Sequence, residues 1–171
     1  MTRHVLIYPD KRLLTKTETV TEITPEILSI IDELFTIMYE DDGVGLAANQ
    51  VGILKRILVM DTQGNGRNPL CLINPEIIER EGESTGYEGC LSFPGIYLEI
   101  TRAANVRVKA MNEKGEPIEL NADGLLARCV QHEVDHLDGK VFVDKLSPLK
   151  KERALAKMAK FMRDKGGRSS T

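Results

Sequence analysis

Gln131 to Gly139 reads Gln-His-Glu-Val-Asp-His-Leu-Asp-Gly, and its two imidazoles, four positions apart, can act together only if the stretch is helical. At roughly 100° per residue, a helix returns His132 and His136 to within about 40° of one face, one turn apart, where they can share a metal ion. Glu133 follows the first of them directly. It is too close to join the pair as a ligand but can lean over water at the metal as a proton acceptor. The pattern is H-E-x-x-H. A single histidine is usually a hydrogen-bonded core or surface residue, but two of this chain's three histidines fall in this motif, which favours a metal site.

A catalytic site of this kind takes three protein ligands and keeps a fourth position for water. The sequence continues the metzincin pattern as far as Gly139, but Phe142 stands where that pattern needs its last His, so that group is excluded. A zincin-type metallopeptidase would need Asp144 or Glu152, and Glu152 lies in a basic segment that reads as a surface helix. Cys90, in Glu88-Gly-Cys-Leu-Ser-Phe-Pro94, is the stronger candidate. Glycine before it lets the backbone bend close to a ligand, and a thiolate is a soft donor for iron or zinc.

The 171 residues, 42% of them hydrophobic, fit one domain with an ordinary core, taken as 1–171. No repeat is visible, and no stretch approaches the ~20 apolar residues that span a membrane. The N-terminus lacks the pattern of a leader, and the three cysteines, an odd number without a C-x-x-C pair, argue against a disulfide framework. A cytoplasmic protein without membrane contact is expected.

Val5 to Tyr8 reads as a short strand or an extended lead. Thr24-Pro25-Glu26 is a helix start, with Thr as cap and Pro at the first helical position. Ile27, Ile30, Ile31, Leu34, Phe35 and Met38 then recur at helical spacing until about Glu40, a scaffold stripe. Asp42 to Gln50 carries two glycines that permit close backbone approach, read alone as a turn into a strand. It is neither a phosphate loop nor a dinucleotide fingerprint, so no nucleotide cofactor is expected. Ile53 to Met60 reads as a strand, and Leu70 to Ile73 and Ile77-Ile78 as strands broken by Asn74-Pro75. Asn105 to Met111, with Val106, Val108 and Ala110 inward, turns at Asn112 to Gly115 and returns through Ile118 to Leu120. Asp123 or Asn121 would cap the histidine helix, from about Gly124 to Leu137. On it Leu125, Cys129, His132 and His136 share a face, so Leu125 and Cys129 are either plain core residues or an apolar pocket beside the metal site suited to an unbranched side chain.

Three segments together resemble the peptide deformylases. Their signatures Gly-x-Gly-x-Ala-Ala-x-Gln, Glu-Gly-Cys-Leu-Ser and Gln-His-Glu-x-Asp-His stand complete at Gly43 to Gln50, Glu88 to Ser92 and Gln131 to His136. Each alone is only suggestive; the three in order are highly specific, and the resemblance covers nearly the whole chain. It implies an α+β fold, antiparallel β-strands wrapped around a central metal-binding helix, with an N-terminal and a C-terminal helix. It implies hydrolysis of the formyl group from the N-terminal formylmethionine of new polypeptides. Cys90, His132 and His136 would hold one divalent metal, Fe²⁺ expected, with Zn²⁺, Ni²⁺ or Co²⁺ able to substitute. Glu133 would move the proton, while the Gln50 amide and the Leu91 N–H would stabilise the oxyanion. The N-formylmethionyl peptide would lie as an added strand along Gly43, Val44, Gly45 and Gly89. Its side chain would enter a pocket formed by Val44, Leu125, Cys129 and the ring of His132, with Arg128 at the rim. Arg128 stands where relatives often carry an apolar residue, and Tyr97 where some carry Arg.

The tail differs from the rest in charge. From Lys150 to Thr171 eight Lys or Arg face two acids, +6 in a chain of net −3, leaving −9 elsewhere. Leu155, Ala159 and Met162 suggest a helix with one face on the domain, ended by Gly166-Gly167. Its basic face is either simply solvated or docks on ribosomal RNA, whose backbone needs no sequence code. Two other functions are compatible with parts of the sequence: the zincin endopeptidase using Glu152, and a metal-stabilised RNA-binding module, which would need a fourth closed ligand that the sequence does not offer.

Overall fold

The computed structural model of the protein describes residues 3–169. Three helices, α1 (Pro25–Glu40), α2 (Gly124–Leu137) and α3 (Pro148–Ser169), combine with seven strands: β1 (Gly45–Ala47), β2 (Ile57–Met60), β3 (Leu70–Glu81), β4 (Ser84–Glu88), β5 (Leu98–Arg102), β6 (Asn105–Met111) and β7 (Pro117–Ala122). One antiparallel sheet has the order β1-β2-β3-β6-β7, and β4 and β5 pair separately. Among the described residues no helix is long and apolar enough to cross a membrane.

Strand β2 shows how the molecule is layered. Side chains alternate across a sheet, so Ile57 and Val59 pack with α1 residues Ile30, Leu34 and Met38, while Leu58 and Met60 pack with Val130, Val134 and Leu137 of α2. All four are fully buried, which explains why β2 reads as an unbroken apolar run. Thr24 caps α1 as expected, its Oγ1 accepting from Ile27 N at 3.2 Å, with Pro25 in the first turn. Gly139 ends α2 with φ +75, and a Cβ there would meet the Leu14 carbonyl oxygen at 2.8 Å, so the exit accepts no side chain.

Several expectations need correction. Of the two readings open for Val5 to Tyr8 the extended lead holds, while the strand expected from Ile53 begins only at Ile57. Asn74-Pro75 does not break β3. Asn74 takes φ 54 and its side chain bonds both Val20 N and Val20 O, so the irregularity is absorbed as a register shift against β6. Asp123 does hold the cap position of α2, but its side chain makes no capping bond. Ala110 is only half-buried.

The third core cluster joins Phe93, Ile96, Val141, Phe142 and Val143 to Ala154 and Met158 of α3. The docked stripe is therefore Ala154, Leu155 and Met158; Ala159 and Met162, also expected there, are exposed. The helix runs through Gly166 and Gly167 to Ser169. Each glycine costs about 1 kcal/mol relative to Ala, yet keeps its backbone donor. The tail's last residues, Ser170 and Thr171, lie outside the described residues.

Candidate metal centre and substrate cleft

Helix α2 buries nine residues, among them Gln131, His132, Glu133 and His136. Its depth is fixed by Gln131, whose side chain accepts from Ala103 N at 3.1 Å and donates to Ala103 O at 2.9 Å. Opposite it, Phe93 N donates to Cys90 O at 2.9 Å, a tight turn that leaves Leu91 at its tip and brings the thiol over the helix. The Cys90 Sγ lies 3.3 Å from His136 Nε2. One donor atom from each of Cys90, His132 and His136 falls within 4.8 Å of the others. Glu152 is exposed on α3 and takes no part in this cluster, which removes it as a third ligand.

The chemistry of this donor set fits a cation. His132 Nδ1 is engaged by Glu88 Oε1 at 2.9 Å, so its other nitrogen is free to ligate. Burial lowers the basicity of His132, but the neighbouring Cys90 sulfur and Glu88 outweigh it and raise its pKa to about 10. His136, buried beside a charged His132 and Arg102, is pushed well below the ordinary value. The two rings thus share a place for one positive charge, and a metal there would replace the proton and leave both neutral.

Glu133 lies on the same helix, fully enclosed, and burial raises its pKa to about 7. Its Oε1 has no hydrogen-bond partner among the described residues. A carboxylate at that poise, with one oxygen unengaged, can take a proton near neutral pH. Gly45 of β1 passes so close that a Cβ would come within 2.6 Å of Cys129 Sγ and 2.8 Å of Glu133 Oε2. The glycine therefore serves close approach, as its motif suggests. Gln50 is buried, its Oε1 accepting from Ala47 N at 2.9 Å and its Nε2 donating to Ser92 Oγ at 3.1 Å and toward Cys90 Sγ at 3.6 Å. That fixes the amide's donor end beside the thiol.

Around these groups lies a cleft of about 1030 Å³. The expected substrate-contact residues Gly43, Val44, Gly45, Gly89, Leu125, Arg128 and Cys129 all line it, together with Gln50, Cys90, Leu91, His132 and Glu133. Cys129 is buried and Leu125 is exposed at the mouth, so only the deeper half of their shared face is core. Tyr97 stands beside Gly89, where a Cβ would meet its ring at 2.7 Å.

Sequence reasoning missed the charged cluster behind His132. Glu88 accepts from His132, from Arg102 through Nη2 at 2.8 Å, and from Arg128 Nη1 at 2.8 Å; Arg102 also reaches Asp135 at 3.0 Å. Burial alone would raise the Glu88 pKa, but His132 and Arg102 together hold it down to about 2. Arg128 also donates to Ile100 O and Ser84 O, so it ties α2 to the β4–β5 pair. Glu88 stood in a recognised motif, but Arg102 lies in an ordinary strand and carries no signal.

Residues 2–152 match the family model described as polypeptide deformylase. A curated peptide deformylase of Alkalilimnicola ehrlichii is 49% identical over 160 residues, 93% of this chain and 90% of the relative. The crystal structure of a peptide deformylase from Legionella pneumophila superposes with a TM-score of 0.94 at 43% identity, over 97% of this chain and 98% of that one. The peptide deformylase of Ehrlichia chaffeensis in complex with actinonin gives 0.88 at 38% identity, over 95% and 98%.

Proposed function

Since the chain belongs to the polypeptide deformylase family, metal-dependent hydrolases that remove the N-formyl group from nascent peptides, we propose that Cys90, His132 and His136 hold its cation. The observation that carries this assignment is the convergence of one sulfur and two imidazoles within 4.8 Å beside an enclosed carboxylate. Fe²⁺ is the expected ion, with Zn²⁺, Ni²⁺ or Co²⁺ able to substitute, since a mixed thiolate and imidazole set suits each of them. A cation held there supplies the Lewis acid that polarises the formyl carbonyl and brings the acidity of water close to neutrality.

Glu133 takes the proton of the attacking water and returns it to the departing amine, so one water is consumed and formate and a free methionyl amine result. Gln50 Nε2, aimed by the bond from Ala47 N into its own Oε1, and the N–H of Leu91 donate to the oxyanion as it develops. The peptide enters as an added strand. Strand β1 ends the order of its sheet and β4 pairs on one side only, with β5, so each has a free edge, and Gly45, Tyr87 and Glu88 bring these strands to the cleft. Gly43, Val44, Gly45 and Gly89 lie beside that strand, and Leu125, Arg128 and Cys129 surround its first side chain. The whole of 1–171 acts as one catalytic domain, in the cytoplasm, in keeping with three free cysteines. Anaerobic metal analysis and formate release from a formyl-Met peptide test the reading together. One metal per chain is expected, with turnover lost on chelation and restored by Fe²⁺; turnover that survives complete removal of metal would sink it.

The exposed Lys150, Arg153, Lys157 and Lys160 of α3 suit contact with ribosomal RNA. Full-length protein should co-sediment with ribosomes and be released as salt rises, while protein truncated at Lys150 should not. Equal, salt-insensitive pelleting of the two would remove the idea.

A further inference from the structure

We propose that α3 forms the outer wall of the substrate cleft, with Met162 and Lys165 contacting peptide residues beyond the formylmethionine. The inference rests on the reading that the cleft takes the peptide. The cleft is not lined by the catalytic groups alone: besides Cys90 and Glu133 its lining includes Pro94, Gly95, Tyr97, Met162 and Lys165. At about 1030 Å³ it lies at the top of the ~300–1,000 Å³ that houses a drug-sized ligand, more than one formylated residue needs.

The wall is held in place. Phe161 lies so close to Gly95 that a Cβ on that glycine would overlap its ring, and one turn earlier Met158 is buried beside Phe93 and Ile96. Met162, next in sequence, is 38% exposed. Among the described residues nine large hydrophobic side chains are exposed, and five of them, Val44, Tyr87, Tyr97, Leu125 and Met162, line this cleft. Exposed apolar groups gathered at one mouth mark a contact surface, whereas single scattered ones would mean nothing. A thioether on such a surface adapts to varied side chains, which suits an enzyme that must accept many sequences. Lys165 adds a positive charge to a lining that also carries Arg3, Glu40, Asp41 and Asp42. A peptide of three or more residues, extended at ~3.3–3.6 Å per residue, extends beyond the catalytic groups, and an acidic side chain near Lys165 is favoured.

The test compares formyl-Met-Ala with formyl-Met-Ala-Leu-Glu on the metal-loaded enzyme. In full-length protein the tetrapeptide should have the lower KM. Protein ending at Lys160, and the point variants Met162→Glu and Lys165→Glu, should lose roughly fivefold or more of that advantage through KM. Cleavage of the dipeptide should persist, which keeps a failed wall distinct from a failed catalytic assignment. Lys157→Glu, a charge change on the same helix outside the cleft, should leave the advantage intact. If the truncated chain does not fold, the point variants decide. An unchanged tetrapeptide advantage in both, or an equal loss in Lys157→Glu, overturns the proposal.

Discussion

Glu133→Gln will retain one metal per chain and lose about 10²- to 10⁴-fold in formate release, the range spanned by a positioned general base. The substitution keeps the volume of a side chain packed against Gly45 and Cys129, so it removes the proton acceptor with little change of shape. Metal retention follows because Glu133 lies outside the three-donor cluster. The loss should fall on kcat more than on KM, since the carboxylate acts on the reacting water and not on the peptide backbone. Metal content and steady-state rates on the same preparations check this. A variant within tenfold of the parent rate would show that another group moves the proton, and one that loses its metal would show that Glu133 belongs to the cation's own sphere.

The sequence makes the fold legible where the signal is apolar or covalent in origin. Helix α2 could be bounded at Gly124 and Leu137 because its two histidines, its buried stripe and the following glycine agree on one period. The same was true of α1, where Thr24, Pro25 and the isoleucines point one way. The β4–β5 pair leaves little trace in the sequence, because β4, Ser-Thr-Gly-Tyr-Glu, has no apolar face: only its Glu88 is buried, and what holds that side chain is a set of ion pairs. Asn74-Pro75 reads as a break in β3 because a side chain bonded 54 positions away, at Val20, cannot be seen from local turn chemistry.

The site divides in the same way. Cys90, His132, Glu133, His136 and Gln50 announce themselves by type and spacing, and the fold brings the three donors together from two distant segments. Arg128 is more informative than its sequence suggested. It lines the cleft as expected, but its guanidinium is spent on Glu88 and on backbone carbonyls of both strands of the β4–β5 pair. An arginine at that point of α2 thus helps build the pocket wall, a role its isolated position on a helix could not reveal.

Arg102→Met will cost on the order of 3–5 kcal/mol of stability, the usual consequence of removing one partner from a buried ion pair. Arg102 is 3% exposed in its side chain and bonds both oxygens of Glu88, itself 4% exposed, while reaching Asp135 on the other side. Methionine fills much of the volume but leaves the Glu88 carboxylate short of the guanidinium that compensates its burial. For a chain of this length the melting temperature should fall by roughly 6–20 °C, measured on metal-loaded protein at fixed protein and metal concentrations. Since Glu88 also orients His132 through Nδ1, metal affinity should drop by about 10- to 100-fold, as when other partners of ligating histidines are lost. Adding Glu88→Gln to Arg102→Met should recover part of the stability, because an amide is cheaper to bury than an unpaired carboxylate, but should not restore metal affinity. A single variant that melts within ~2 °C of the parent, less than 1 kcal/mol for a chain of this size, would mean that Arg128 and His132 suffice to hold Glu88.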